Sequence, residues 1–170
     1  MLANYLANGL GKKVAVIELN TNKDFMRIRH QSHLIYHDTE WFTYCGIDFY
    51  QNGTSVTVQQ LNKKEYDYLI MDMGNQYSEY ENELAGSSQK IIVADMELWK
   101  IGKLYHYLSV EDRDRTDSDT YVSVTYQSQL AKKLKREFKV EIQQVPLERN
   151  PFAIRGENLT WFQRLLEEQD

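Results

Sequence analysis

Cysteine, proline and glycine are all scarce in this sequence. A single cysteine, Cys45, among 170 residues excludes an intrachain disulfide, and a reducing, cytoplasmic setting is expected. Two prolines and eight glycines, with no Gly/Ser-rich stretch, argue against an internal linker or long disorder. Basic charge is in deficit. Lys and Arg number 20 against 25 Asp and Glu, a formal net charge of -5, so a basic face for nucleic acid is not expected. No apolar run approaches the ~20 residues of a membrane span. No charged-then-apolar signal peptide opens the sequence, and no repeat of solenoid period runs through it.

What is present suits one globular domain spanning residues 1–170, with 42% hydrophobic and 26% charged residues. Residues 2–9 read as a short helix, with Leu2 and Leu6, then Ala3 and Ala7, at helical spacing and glycines to end it. "KVAVIEL" (13–19) is a continuous apolar run of the kind found in buried parallel strands. Residues 22–36 are read as a helix capped by Asn22. The aromatic stretch from 41 to 60 predicts a β-hairpin turning at Asn52-Gly53. Strands are predicted at "DYLIMD" (67–72) and "KIIVAD" (90–95), with an acidic helix at 77–85 between them. "MELWKIGKLYHYLS" predicts an amphipathic helix with Leu98, Ile101, Leu104, Tyr105 and Leu108 on one face. A charged loop at 111–119 precedes a strand at 120–126. A helix striped by Leu130 and Leu134, a strand near 139–146 and a helix from Asn158 complete the chain. Apolar strands alternating with helices define an α/β, three-layer fold with a mostly parallel sheet.

Ligands of open α/β sheets bind beyond the carboxyl ends of the strands. Three strand ends place polar groups there: Glu18 and Asn20, then Asp72 followed by Gly74, then Asp95. A carboxylate after four apolar residues is half of the phosphate-and-magnesium site of NTPases, where it holds the metal's water shell. Asp also ends many strands simply because it favours turns.

In order, the segments resemble the P-loop ATPase family that includes MinD, ParA and the pilus-locus proteins CpaE and TadZ. "LANYLANGLGKKVAVIELN" is similar to the helix after the phosphate loop and the strand that follows. "YDYLIMDMG" resembles the Walker B strand, and "KIIVADMELWKIGKL" the next strand and helix. "VPLERNPF" resembles the proline-containing loop near the nucleotide base. The resemblance implies a P-loop NTPase-like fold. It also implies that Asp72 stands at the magnesium position, and that Asn20, Gly74 and Pro146 stand at nucleotide-contact positions.

The departures are as informative. No GxxxxGK[ST] loop occurs in the sequence, nor the strand that leads into one. Glu18 and Asn20 stand where the family carries "DxD", and Thr125 and Tyr126 where it carries a base-contact Asn. Phosphoryl transfer depends on the positioning and charge stabilisation that these groups supply. The expectation is therefore a non-hydrolysing relative with no catalytic residue and no cofactor. It would act on a protein partner or as a homo-oligomer, in a pilus, secretion or positioning system. The alternative is a piece of a genuine ATPase whose phosphate loop lies upstream of Met1, using ATP and magnesium. There Asp72 would hold the metal, Gly74 would sense the terminal phosphate and Glu18 would orient water. In the family the missing strand lies between the Walker B strand and "KIIVAD", so direct closure of the sheet there, or completion by a second copy, is expected.

Other residues invite weaker readings. His30, His33 and His37, with Asp38 and Glu40 nearby, match no zinc spacing and are read as loop or surface residues. Cys45 is read as inert core. Trp41, Phe42, Tyr44, Phe49 and Tyr50 suit strand packing, or a partner surface where exposed. "KKLKRE" (132–137) reads as a solvated helix face. The amphipathic segment 158–168 is mostly acidic, which disfavours an anionic lipid surface.

Overall fold

Val14, Ala15, Val16 and Ile17, three of them β-branched, form strand β1 (Val14–Glu18) with Glu18 at its end, and all five residues are buried. The computed structural model describes residues 1–32, 40–110, 119–153 and 155–167. The chain divides into two compact units. The first is Met1–Gly86 with Asn150–Phe162; the second is Ser87–Arg149 with the residues from Gln163 onward.

In the first unit a helical turn α1 (Leu2–Asn4) continues as a π-helix, Tyr5–Gly9, before β1. Helix α2 (Asp24–Gln31) follows, then β2 (Trp41–Tyr44), β3 (Ile47–Tyr50), α3 (Ser55–Leu61) and β4 (Tyr68–Asp72). A 3-10 turn at Tyr77–Tyr80 runs into α4 (Glu81–Ala85). The sheet order is β2-β3-β1-β4, with β1 parallel to both β3 and β4 and β2 antiparallel to β3. Burying β1 on two faces explains its unbroken apolar run. Ala15 and Ile17 pack with Val58 and Leu61 of α3, joined by Leu69 and Met71 of β4. Alternation turns Val14, Val16 and Glu18 to the opposite face. Phe49, in register with Val16, meets Phe25 edge-on and stacks on Phe42.

The second unit holds β5 (Lys90–Val93), α5 (Gly102–Val110), β6 (Asp119–Ser123), α6 (Ser128–Phe138) and β7 (Ile142–Gln144). Its three strands are parallel in the order β5-β6-β7. Tyr121 and Ile142 pack with Leu104 and Leu108 of α5 and Ala131 and Leu134 of α6. Lys132, Lys133, Lys135, Arg136 and Glu137 occupy the exposed face of α6, the solvated face expected. Helix α7 (Gly156–Glu167) closes the described chain.

The α/β class with parallel sheets and flanking helices is as expected, and so is an aromatic hairpin. Several details differ. The hairpin is 41–50, and its turn is Cys45-Gly46, not Asn52-Gly53. Cys45 and Gly46 have φ of 49° and 73°, and Tyr44 pairs with Ile47 across them. Positive φ at both central residues is the two-residue turn that matches strand twist. Cys45 is therefore exposed at a turn and not core. Asn52-Gly53 leads instead into α3, which the strand-like composition of "SVTVQQL" conceals. Thr54 and Thr57 form a reciprocal capping box that starts this helix. Asn22 is not the cap of α2; Lys23, with φ 59°, precedes its first residue. Residues 33–36 of that predicted helix, His33, His37, Asp38 and the loop 111–118 lie outside the described residues. Helix α5 begins only at Gly102, so Leu98 is 72% exposed and not part of its buried stripe. Among the described residues β4 and β5 do not pair, since β4 ends one sheet and β5 the other.

Candidate functional site at the strand ends

β1 and β4 run parallel with Glu18 in register with Asp72, so both carboxylates leave the same face of adjacent strands. The two strand ends are stitched together. The Leu19 N–H donates to the Asp72 carbonyl at 2.8 Å, and the Asn20 side-chain amide donates to the same oxygen at 3.0 Å. Asn20 Oδ1 accepts from the Asn22 N–H at 2.9 Å, and Gln76 Oε1 accepts from the Thr21 N–H at 2.8 Å. Gly74, with φ 52°, donates its N–H to Asp72 Oδ1 at 3.2 Å.

Glu18 is 1% exposed. Its Oε1 accepts the N–H groups of Asp24 and Phe25 at 2.6 and 3.2 Å, so it caps the first turn of α2 from another element. Burial raises its carboxyl above the usual range, against the lowering effect of those two bonds; Asp24 and Asp72 push the same way as burial. Burial also raises the Asp72 carboxyl, against the Gly74 N–H and the Asn20 amide. Both groups therefore favour holding a proton more than a free carboxylate does.

Four of the residues singled out from sequence, Glu18, Asn20, Asp72 and Gly74, thus meet at one strand edge. Pro146 is half-buried in the second unit, just after β7. That unit has its own strand-end cluster. Asp95 accepts from Lys100 Nζ at 2.9 Å, the Glu97 N–H at 3.1 Å and Thr125 Oγ1 at 3.1 Å. Lys100 first, and these N–H and O–H donors with it, hold the Asp95 carboxyl below its usual range. Thr125 Oγ1 in turn accepts the Met96 N–H at 2.8 Å, and Gln127 donates to the Met96 carbonyl at 2.9 Å. Thr125 therefore ties the ends of β5 and β6. Sequence alone marks neither that tie nor the clasp made by Gln76, because each depends on pairing between distant segments.

Asp72 Oδ1 accepts the Gly74 N–H, and Glu18 Oε1 is engaged at the start of α2. Neither a glycine-rich phosphate loop nor its lysine occurs in the sequence. Among the described residues no group of three or more His, Cys, Asp or Glu is placed to share a metal ion. His30 and Glu40 are exposed. Among the described residues no helix is long and apolar enough to cross a membrane.

Comparison with known proteins places the fold. A chain of the "MinC:MinD cell division protein complex, Aquifex aeolicus" superposes with a TM-score of 0.54 at 15% identity, over 87% of this chain and 74% of that one. The likeness at that identity is one of fold, a MinD-like α/β architecture. No family model matches the sequence, and no curated protein matches it.

Proposed function

We propose that the protein is a non-hydrolysing, MinD-like scaffold that works through protein contacts, in a pilus, secretion or positioning system. The observation that carries this reading is the commitment of Glu18. A strand-end carboxylate orients a water with an oxygen that faces the ligand, and here one oxygen of Glu18, Oε1, is committed to the first N–H groups of α2. The pair Glu18 and Asp72 then serves as a clasp between β1, β4 and α2 and not as an acid–base couple.

Exposed apolar residues support a protein partner. Val93, Leu98, Trp99, Val124 and Leu147 are 54–80% exposed, and all lie at or just beyond the carboxyl ends of β5, β6 and β7. Apolar side chains grouped at one edge of a parallel sheet are more typical of an interface than of scattered surface residues, and tryptophan is the commonest interface anchor. The MinD-like neighbour was itself solved in a protein complex.

A phosphate-release assay with Mg·ATP tests the reading. Turnover at the level of a buffer blank is expected, and unchanged background in Asp72→Ala. Turnover that Asp72→Ala removes would overturn it. A second reading is favoured by the register of Glu18 with Asp72: a piece of an ATP-binding MinD/ParA-type protein whose loop is encoded upstream. An in-frame strand and glycine-rich loop in the DNA before Met1 would support that reading.

A further inference from the structure

Helix α6 concentrates positive charge in an acidic chain. Residues 128–139 hold five of the chain's 20 Lys and Arg and one of its 25 Asp and Glu. Lys132, Lys133, Lys135, Arg136 and Lys139 are all exposed. The apolar residues of the helix are spent on the core of the second unit, with Ala131 and Leu134 inside it and Leu130 and Phe138 packed against it. Three of the cations have local partners. Lys133 lies 3.9 Å from Glu137 and 5.4 Å over the Tyr105 ring, Lys135 pairs with Glu141, and Lys139 Nζ donates to the Arg136 carbonyl at 3.3 Å. Among the described residues neither Lys132 nor Arg136 has a carboxylate within ion-pair distance.

That arrangement works against the helix. Lys132 and Arg136 stand one turn apart, at i and i+4, where like charges are destabilising. The helix dipole favours cations in the last turn, which accounts for Lys135 and Arg136 but not for Lys132 at mid-helix. A local conflict with no local return marks residues that serve something other than folding.

We propose that this face of α6 docks an acidic, extended segment of a partner protein, with Lys132 and Arg136 each taking one carboxylate. The proposal names the partner chemistry for a protein that acts through protein contacts, and it rests on that reading. Side chains at i and i+4 start about 5–6 Å apart. Alternate side chains of an extended segment share one side and stand about 6.6 Å apart. A Glu-x-Glu or Asp-x-Asp segment therefore sets one carboxylate against Lys132 and the next against Arg136. The guanidinium of Arg136 takes its carboxylate through two parallel N–H groups, which fixes the register. Other anionic partners fit less well. The helix has no apolar side chain left to enter a bilayer. Duplex nucleic acid needs a basic face, and here Glu137 and Glu141 stand among the cations of a chain whose net charge is -5. The same net charge sets two copies against each other.

Fluorescence anisotropy of a labelled peptide of alternating Glu and Ser, titrated with the full chain at about 50 mM salt, tests this. Binding is expected, and Lys132→Glu and Arg136→Glu are each expected to weaken it about tenfold. Arg136→Lys keeps the charge and loses the two-pronged contact, so about a threefold loss is expected. Lys63→Glu makes the same charge reversal at an exposed residue of the first unit and is expected to leave binding within about twofold. All these side chains are exposed, and circular dichroism checks that each variant is folded. No binding of the peptide, or an equal loss in Lys63→Glu, overturns the proposal. Either result leaves the phosphate-release assay untouched, so the non-hydrolysing reading stands or falls separately. Anionic vesicles or duplex DNA that bind through Lys132 and Arg136 more tightly than the peptide does would assign the face to another partner and overturn it. So would a dimer in sedimentation velocity that either charge reversal on α6 dissociates.

Discussion

Glu18 and Asp72 meet on one face of adjacent strands, and burial raises both carboxyls above their unfolded values. The sign of the linkage follows. A carboxyl with a raised folded pKa contributes stability that is fully present below its unfolded pKa and is lost as pH rises through the folded one. Glu18→Gln keeps an acceptor oxygen for the Asp24 and Phe25 amides and removes the buried charge. The variant is expected to be at least as stable as the parent at neutral pH, with the advantage vanishing as pH falls toward the ordinary carboxylate range. Thermal unfolding of both proteins across that range checks it; a Gln variant that is the weaker one at neutral pH would contradict it. Glu18→Ala takes the partner from the buried Phe25 N–H and the part-buried Asp24 N–H and should cost about 1–3 kcal/mol at acid pH, and less at neutral pH. Cys45 offers a simpler case. It holds φ 49° at the first position of a two-residue turn ahead of Gly46. Asn tolerates that conformation better than Cys, so Cys45→Asn is expected to raise stability by about 0.5 kcal/mol in chemical unfolding, and a loss would count against the turn assignment.

The elements that sequence shows most plainly are those with one dominant local signal. "KVAVIEL", "DYLIMD" and "KIIVAD" are unbroken apolar runs and become β1, β4 and β5. Helix α6 announces itself because Leu130 and Leu134 sit one turn apart, with Lys, Arg and Glu around them. Where the signals compete, sequence misleads. "SVTVQQL" is rich in β-branched residues, yet the Thr54 and Thr57 box and the burial of Val58 and Leu61 make it α3. Asn52-Gly53 has turn chemistry, but its glycine answers to packing. A Cβ on Gly53 would lie 2.2 Å from Ile17 Cγ2 and 3.2 Å from the Glu18 carbonyl. Ile17 is fully buried in β1 and cannot yield. Gly53→Ala is therefore expected to cost about 2–3 kcal/mol through overpacking. Gly102→Ala, with nothing within 4 Å of the new Cβ, is expected to be neutral or slightly favourable. Equal effects of the two substitutions in urea unfolding would remove the packing argument. The strand-end residues were legible as polar groups ending apolar runs. Their engagement was not, because Glu18 with α2 and Asn20 with Asp72 depend on how separate segments fold together.

At the scale of the whole molecule, a MinD-like fold goes with a sequence in which no GxxxxGK[ST] loop occurs. Glu18 Oε1 and Asp72 Oδ1 accept backbone N–H groups, and exposed apolar residues stand at the strand ends of the second unit. Apolar strand runs alternating with amphipathic helices make the fold class readable from sequence. The partner is not readable, since interface chemistry lies in which apolar side chains stay exposed, Trp99 and Leu147 among them. The account's central claim is that this scaffold works without nucleotide. Calorimetric titration of the full chain with Mg·ATP tests it most directly. No binding in the micromolar range is predicted; tight binding that Asp72→Ala abolishes would contradict it.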